Sequence, residues 1–340
     1  MGQQRGVAPD LLSGLRRRND WQVLRERIMR RLTRILGAFP RQKCALEPEV
    51  REEKRFRAFR RLKVSYCVQK GERAPAWLFL PHGIKPRRPA ILCLHQTVPQ
   101  GKDEPAGISG KRSLAFAAHY ARLGYVTLAP DSITAGERVY PGSEPYETAP
   151  FYERNPRGST SLTTGWSAMG KMIWDHMRAL DYLCSLEQVD PRRLGCIGHS
   201  LGGYNAFFLA AYDERVAACV ASCAFTPLVA DDNPMRWARE TWFCHMPRLR
   251  PYIEKRRFPF DFEHVFALIA PRALLVITGL RDAIFGNTER CADSMAAAAE
   301  VYSLLGARDR ISHFVHPHGH KTTRPGLCHA DSSFSRQLAR

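Results

Sequence analysis

The sequence predicts an α/β protein with a doubly wound, mostly parallel β-sheet and helices on both faces. Strands buried on both faces of a parallel sheet are short, continuous apolar runs, and such runs occur at 90–94 and 125–129. Further strand signals follow at 216–222, 273–278 and 311–316. Helical patterns lie between several of them, at 113–123, 169–186 and 289–305. Strands that alternate with helices of this length indicate crossover units of a parallel sheet.

Residues 1–60 precede this alternation and are predicted to form a helical extension packed on the main domain, residues 61–340. Within Asp10–Leu36 apolar residues recur every three or four positions, at Trp21, Leu24, Ile28, Leu32 and Ile35. Gly37 and Pro40 end the helix. A basic amphipathic helix can also lie on a membrane surface, and this alternative stays open.

Two strands and two inserts complete the predicted organisation. Leu62–Val68 and Ala76–Leu80 are predicted strands joined by a turn at 70–72. Residues 131–165 form a loop insert without clear periodicity, and a loop of this length is usually a working surface. Residues 231–262 contain tryptophans and several prolines, which favours a cap over the strand ends.

Composition restricts the class of protein. The chain has 340 residues, and 44% of them are hydrophobic, enough for a large core. The net charge is +18, of which +11 (18 Lys and Arg minus 7 Asp and Glu) falls in residues 1–63. We interpret this charge as a solvated surface and expect no nucleic-acid partner. No apolar run reaches the ~18 residues of a membrane span. The ten irregularly spaced cysteines favour a reducing, cytoplasmic location. The oligomeric state stays open.

The segment 194–212 carries the strongest functional signal. An apolar strand, Leu194–Ile197, runs into Gly-x-Ser-x-Gly at 198–202, and a helical segment follows. A serine on such a tight strand-to-helix turn needs neighbours without side chains, and Gly198 and Gly202 provide them. We therefore predict that Ser200 is a nucleophile. His199, beside it, is interpreted as a packing residue.

A serine hydroxyl needs a base, and the base needs an acid that orients it. In this type of sheet both should follow later strands, in the order Ser, acid, His. Asp282 follows the strand at 273–278 and is the predicted acid, with Asp231 and Asp232 as alternatives.

Three histidines follow the last predicted strand, and His320 is the predicted base because the glycine before it lets the ring turn toward the serine. His318 is the alternative base. Histidines at alternate positions (316, 318 and 320) are also compatible with a metal site. No carboxylate or cysteine lies beside them in the sequence, so no metal is expected.

The tetrahedral intermediate of acyl transfer needs two hydrogen-bond donors for its oxyanion. The predicted donors are the backbone N–H of Leu201 and that of Gln96, with Thr97 as the alternative to Gln96. His95 is expected to order this loop beside the substrate. Tyr140, Trp237 and Trp242 are the predicted substrate-binding residues of the two inserts.

These motifs together resemble the α/β-hydrolase superfamily, and within it the branch of dienelactone hydrolases and acetyl xylan esterases. The resemblance covers about residues 60–320. It rests on the segments 94–97, 100–103, 128–131, 136–138, 198–203 and 269–272, together with Asp282 and Gly319–His320.

The resemblance implies an α/β-hydrolase fold and a Ser-His-Asp hydrolase without a cofactor. The implied substrate is a small carboxylic ester, with acylated sugars among the candidates. A peptidase or amidase of the same fold, and an inactive scaffold that serves as a binding protein, are the alternatives.

The chain departs from this branch at two places. Strict dienelactone hydrolases use a cysteine nucleophile, whereas position 200 is serine, which favours an esterase. In the family a long amphipathic helix normally closes the sheet at the C-terminus. After His320 only Phe334 and Leu338 form an apolar pair at helical spacing, and 322–328 look irregular, so whether the C-terminal segment packs on the sheet stays open.

Overall fold

A computed structural model describes residues 7–83, 87–155 and 165–338. Within these residues the chain forms a nine-stranded sheet in the order β1-β2-β3-β5-β4-β6-β7-β8-β9. The strands are β1 (Glu49–Arg55), β2 (Phe59–Gln69), β3 (Glu72–Pro81), β4 (Arg88–Leu94), β5 (Val126–Pro130), β6 (Val189–His199), β7 (Val216–Ser222), β8 (Ala273–Gly279) and β9 (Ile311–His316).

The sheet is parallel from β5 to β9 and antiparallel at its first edge. Strands β1, β2, β3 and β5 pair antiparallel in turn, whereas β5-β4-β6-β7-β8-β9 pair in parallel. Leu94 is the register partner of Gly198, and Ser222 that of His199. The carboxyl ends of β4, β6 and β7 therefore lie side by side, and the predicted mostly parallel sheet is confirmed.

Helices cover both faces of the sheet. They are α1 (Arg18–Leu36), α2 (Phe116–Arg122), α3 (Ala149–Arg154), α4 (Ala168–Ser185), α5 (Leu201–Tyr212), α6 (Arg250–Glu254), α7 (Phe262–Ile269), α8 (Cys291–Leu304) and α9 (Arg324–Leu338). One apolar core joins one face to α1, α4, α5, α7 and α8, and a second joins the other face to α2 and α9. No helix in the described part of the chain is both long and apolar enough to cross a bilayer.

The N-terminal extension differs from its prediction at both ends. Helix α1 begins at Arg18 rather than Asp10, and it buries the five predicted apolar residues. Strand β1 then lies inside the predicted extension, and the predicted boundary at residue 60 falls inside β2. All seven residues of β1 are exposed, so its charged sequence shows no apolar alternation.

A helix closes the sheet at the C-terminal end, a point that the sequence left open. Helix α9 packs on the sheet through Gly326, Ala330, Phe334 and Leu338, which recur every four residues. Phe334 lies where Gly195 leaves space, since a Cβ on Gly195 would come within 2.8 Å of its ring. Two of the four contact residues are small, so a pattern of large apolar residues does not show this face.

Both inserts contain short helices. The insert 131–165 includes a 3₁₀ turn at Gly136–Arg138 and helix α3, and its residues 156–164 lie outside the described residues. The insert 231–262 includes 3₁₀ turns at Pro234–Trp237 and Pro247–Leu249, helix α6 and the first residue of α7. It contributes wall residues to the pocket at the carboxyl ends of the strands.

Candidate active site

Ser200 lies on a sharp turn between β6 and α5. Its backbone has φ 54° and ψ −118°, a conformation that costs a residue with a side chain about 1–3 kcal/mol. The turn is held by the Ser200 N–H, which donates to the carbonyl oxygen of Ser222 in β7 at 2.8 Å. A Cβ on Gly198 would lie 2.1 Å from the backbone of Gly202, so only glycine fits there.

Gly202 brings the end of β4 against the same turn. A Cβ at this position would lie 2.1 Å from the carbonyl oxygen of Leu94 and 2.9 Å from that of His95. Because glycine permits this contact, the residues that follow β4 lie beside the N-terminus of α5. The first amides of a helix have no partner within the helix, and Leu201 supplies the first of them in α5.

Asp282 and His320 are joined by a hydrogen bond. His320 Nδ1 donates to Asp282 Oδ2 at 2.7 Å. The other carboxylate oxygen accepts from the backbone N–H groups of Ile284 and Phe285 at 2.9 and 3.0 Å. The Asp282 carboxylate is 1% exposed and fixed in orientation. The bond places the proton of His320 on Nδ1 and leaves Nε2 as an acceptor, and this atom has no hydrogen-bond partner among the described residues.

His199 packs behind His320, with the two ring centroids 4.6 Å apart. His199 Nδ1 lies 3.2 Å from the hydroxyl oxygens of both Ser222 and Thr322. Burial lowers the pKa of His199 well below its ordinary value, so the ring is neutral at physiological pH. The neutral His199 ring therefore packs against the His320 ring without adding a charge beside it.

The alternative acids and base have other partners. Asp231 accepts from the Arg236 guanidinium at 2.9 and 3.0 Å. Asp232 accepts from the side-chain amide of Asn287 at 2.9 Å. His318 is exposed and contacts the ring of His316, at 5.8 Å between centroids. None of the three lines the pocket that contains Ser200.

The histidine run contributes only His320 to a cluster of candidate metal ligands among the described residues. Ligand atoms of Cys223, Asp282 and His320 lie within 4.8 Å of one another. Burial raises the pKa of the Cys223 thiol to about 11, and a metal would need the thiolate. The arrangement fits the hydrogen-bonded Asp–His pair better than a metal centre.

Buried polar groups fix the loop after β4 through hydrogen bonds. His95 Nδ1 donates to the carbonyl oxygen of Gln96 at 2.7 Å, and its Nε2 accepts from the Ser132 N–H at 3.0 Å. The Tyr146 hydroxyl accepts from the Val98 N–H at 2.8 Å and lies 2.9 Å from the Gln96 carbonyl oxygen. Burial lowers the pKa of His95 despite the nearby carboxylate of Asp131. A neutral histidine thus orders the loop.

An ion cluster fixes the next turn of this loop. Asp131 Oδ1 accepts from the Lys102 backbone N–H at 2.8 Å, and its Oδ2 accepts from Lys102 Nζ at 2.9 Å. Lys102 Nζ also pairs with Glu137. Burial alone would lower the pKa of Lys102, but the two carboxylates outweigh it and raise that pKa. These residues belong to the segments that carried the superfamily resemblance, and their role here is to brace the loop.

One pocket of about 300 Å³ contains the predicted nucleophile and base together. Its described lining residues are Gln96, Thr97, Ser200, Tyr204, Arg236, Trp237, Arg239, Trp242, Phe243, His245, Ile284, Phe285 and His320. Of the predicted substrate-binding residues, Trp237 and Trp242 line it, whereas His95 and Tyr140 do not. His95 lies beneath the loop, and the Tyr140 ring faces the Arg154 guanidinium at 4.6 Å.

Sequence reasoning missed much of the pocket wall. Tyr204 lies one helical turn after Ser200, and its hydroxyl is hydrogen-bonded to His245 Nε2. Burial lowers the pKa of His245 to about 3, so the ring stays neutral. Phe285 follows the predicted acid by three residues, and its ring lies 5.9 Å from that of His320. Spacing from the two motifs could have indicated Tyr204 and Phe285, but nothing in the sequence marked His245.

The sheet, the serine turn and the Asp–His pair at one carboxyl edge define an α/β-hydrolase. The chain belongs to the Abhydrolase family (Abhydrolase_7), whose model matches residues 12–308. The superfamily resemblance is therefore confirmed. A relative in Bacillus subtilis (strain 168), the "Putative hydrolase YtaP", is 30% identical over 258 residues, which are 74% of this chain and 80% of that protein.

Solved structures with the same fold are esterases by name. A glucuronoyl esterase from Solibacter usitatus superposes with a TM-score of 0.77 at 20% identity, over 97% of both chains. A promiscuous CE15 esterase from a marine bacterial metagenome gives 0.72 at 16% identity, over 98% of both. A "putative acetyl xylan esterase" from Bacteroides fragilis gives 0.67 at 18%, over 90% of this chain and 80% of that one. At these identities the likeness shows the fold.

Proposed function

We propose that this hydrolase cleaves carboxylic esters through an acyl-enzyme on Ser200, with His320 as general base and Asp282 as the residue that orients it. The observation that carries the proposal is the 2.7 Å bond between Asp282 and His320 Nδ1, which leaves Nε2 as an acceptor in the pocket that also contains Ser200. A serine nucleophile needs a base in which one ring nitrogen is bonded to the acid and the other is free to accept the hydroxyl proton.

In the first half-reaction the Ser200 oxygen attacks the ester carbonyl carbon while His320 Nε2 takes the hydroxyl proton. The negative charge that develops on the carbonyl oxygen is stabilised by the backbone N–H groups of Leu201 and Gln96. The N-terminal end of α5 adds the partial positive charge of a helix dipole at Leu201. His320 then gives its proton to the leaving alcohol.

In the second half-reaction water attacks the acyl-enzyme. His320 takes a proton from the water, the same two N–H groups hold the second oxyanion, and Ser200 leaves with the proton from His320. Asp282 keeps its negative charge throughout and stabilises the imidazolium that forms twice in each cycle.

The proposed substrates are small esters, with acylated or otherwise esterified sugars as the favoured class. A pocket of about 300 Å³ admits a compact ester. Trp242 lies 46% exposed at its wall and offers a flat apolar face, the kind of surface on which a sugar ring stacks. The names of the structural neighbours, glucuronoyl and acetyl xylan esterases, point to the same class.

A fluorophosphonate probe tests this function without knowledge of the substrate. The probe should label the folded protein once, and peptide mapping should locate the label on Ser200. Labelling should disappear in Ser200→Ala and fall strongly in His320→Ala, while exposed His318→Ala should label like the native protein. A folded protein that the probe does not label would instead favour an inactive scaffold. Comparison of an acyl ester with the matching anilide separates an esterase from an amidase.

A further inference from the structure

The wall of the substrate pocket carries two guanidinium groups, those of Arg236 and Arg239, and no carboxylate among its described residues. A charged side chain that is partly removed from water is stabilised when it is paired with an opposite charge. The two arginines differ in this respect, and the difference indicates which of them is free to bind a ligand.

Arg236 is already neutralised. Its Nε and Nη2 atoms donate to the buried Asp231 carboxylate at 3.0 and 2.9 Å. Its third nitrogen, Nη1, donates to the backbone carbonyl oxygen of Ile284. The guanidinium also lies 5.2 Å from the ring centroid of Phe285. Arg236 therefore fixes the wall and has little capacity left for an anion.

Arg239 has no such partner. Its guanidinium lies 5.1 Å from the ring centroid of Trp242, a contact that attracts a cation by only about 0.5–2 kcal/mol and does not neutralise it. Among the described residues its side chain makes no hydrogen bond and no ion pair. The adjacent Glu240 pairs instead with Arg250 at 2.9 Å. Five hydrogen-bond donors of a permanent cation thus remain available at the pocket wall.

We propose that Arg239 binds a carboxylate of the substrate, so that the ester cleaved at Ser200 carries a free carboxylate elsewhere in the molecule. The inference rests on the esterase function proposed above and adds the charge of the substrate. The planar guanidinium matches the two oxygens of a carboxylate in a bidentate geometry. The net charge of +18 attracts such an anion toward the protein from a distance.

Two pairs of esters test the proposal, each pair an acid and its primary amide. Mono-4-nitrophenyl glutarate and its amide place the charge on the acyl side, while 4-acetoxybenzoate and 4-acetoxybenzamide place it on the alcohol side. In at least one pair kcat/KM for the acid should exceed that for the amide by about 10- to 100-fold, the range expected of one charge-assisted bidentate contact. The preference should weaken at high salt.

Arg239→Gln should remove most of this preference, so that the acid-to-amide ratio falls by about tenfold or more. Arg239→Lys keeps the positive charge but loses the planar guanidinium, and it should retain part of the preference for the acid. Arg308→Gln is the matched control, because Arg308 is exposed and lies at the N-terminal end of β9, opposite to His320. It makes the same change in net charge and should leave the ratio unchanged.

The outcomes separate this inference from the esterase function. Turnover of both amides without any preference for the acids, or a ratio that Arg239→Gln leaves unchanged, would overturn the carboxylate site alone. If no ester is cleaved, calorimetric titration with glutarate decides the site by itself. Binding that Arg239→Gln weakens about tenfold supports the site, and equal binding by both proteins overturns it.

Discussion

The rings of His199 and His320 pack against each other, with their centroids 4.6 Å apart and their planes tilted by 53°, and only one of them is available for chemistry. His199 is buried and held by the hydroxyl groups of Ser222 and Thr322, whereas His320 lines the pocket and its Nε2 has no hydrogen-bond partner among the described residues. A neutral ring behind the base limits its motion without competing for the carboxylate of Asp282.

Replacement of His199 should therefore lower turnover through the position of His320. In His199→Phe the ring remains but its hydrogen bonds to the two hydroxyls are lost, at a cost of about 1–3 kcal/mol in the free energy of unfolding. We expect kcat on 4-nitrophenyl acetate to fall at least about tenfold with little change in KM. Kinetics and denaturant unfolding of this variant measure both effects. An unchanged kcat in a folded variant would show that His199 does not position the base.

Loss of the carboxylate at position 282 should be far more severe. Asp282→Asn preserves the shape but replaces the acceptor that fixes the proton of His320 on Nδ1. On comparable triads this change costs about 10⁴-fold in kcat. Asp232→Asn serves as the control, because Asp232 is exposed and bonded to Asn287. Equal losses in the two variants would contradict the assignment of the acid.

The close contact between Gly202 and Leu94 predicts a third result. In Gly202→Ala the new Cβ would lie 2.1 Å from the Leu94 carbonyl oxygen, so β4 and the serine turn must separate. The two proposed oxyanion donors then move apart, and we expect kcat to fall by about 10²-fold or more. In Gly326→Ala, on α9, the nearest atoms would be side-chain atoms, Thr323 Oγ1 at 3.3 Å and Ile277 Cγ2 at 3.4 Å, so a shift of a few tenths of an ångström accommodates the new Cβ. This matched control should keep its activity.

Stability should fall as the pH is lowered from 7.5 to 5.5. Burial lowers the pKa of seven histidines below the ordinary value of 6.5, namely His95, His176, His199, His245, His264, His313 and His316. As the pH falls through about 6.5, the unfolded chain binds protons at these histidines and the folded chain does not. The unfolded state is therefore stabilised relative to the folded state, and the free energy of unfolding falls. Burial raises the pKa of two carboxyl groups, that of Asp261 to about 8 and that of Glu263 above its ordinary value, and these two act in the opposite direction. Urea titrations at the two pH values measure the change, and equal midpoints would contradict it.

The C-terminal helix should contribute strongly to stability. Phe334 is fully buried, and its ring lies 5.1 Å from that of Tyr120. Phe334→Ala should lower the free energy of unfolding by about 3–5 kcal/mol, whereas Ser335→Ala, one residue further and exposed, should change it by less than about 0.5 kcal/mol. A small effect of Phe334→Ala would mean that α9 does not close the sheet in solution.

The sequence predicts the parallel part of the sheet and the location of the site because both depend on local signals. Central strands are continuous apolar runs, and Ser200 and Asp282 each follow one of them, while His320 follows the edge strand β9. Strands β7 and β9 begin and end at the predicted residues. Since the carboxyl ends of parallel strands meet at one edge, three distant segments could be expected to meet at one pocket.

The remaining features depend on contacts between distant segments. Strand β1 is fully exposed and held by its pairing with β2, so it carries no apolar pattern. Helix α9 packs partly through Gly326 and Ala330, which a search for large apolar residues overlooks. The fold of the insert 231–262 decides which arginine is paired. Arg236 pairs with Asp231, whereas the guanidinium of Arg239 contacts the ring of Trp242 and has no ion-pair partner in the described part of the chain. No local spacing distinguishes these two arginines.

The rate of ester cleavage by Ser200→Ala tests the central claim most directly. The variant removes only the attacking oxygen, and its thermal midpoint should stay close to that of the native protein. With 4-nitrophenyl acetate we expect kcat/KM to fall by about 10⁴-fold or more. A folded Ser200→Ala variant that hydrolyses the ester as fast as the native protein would contradict the proposed mechanism.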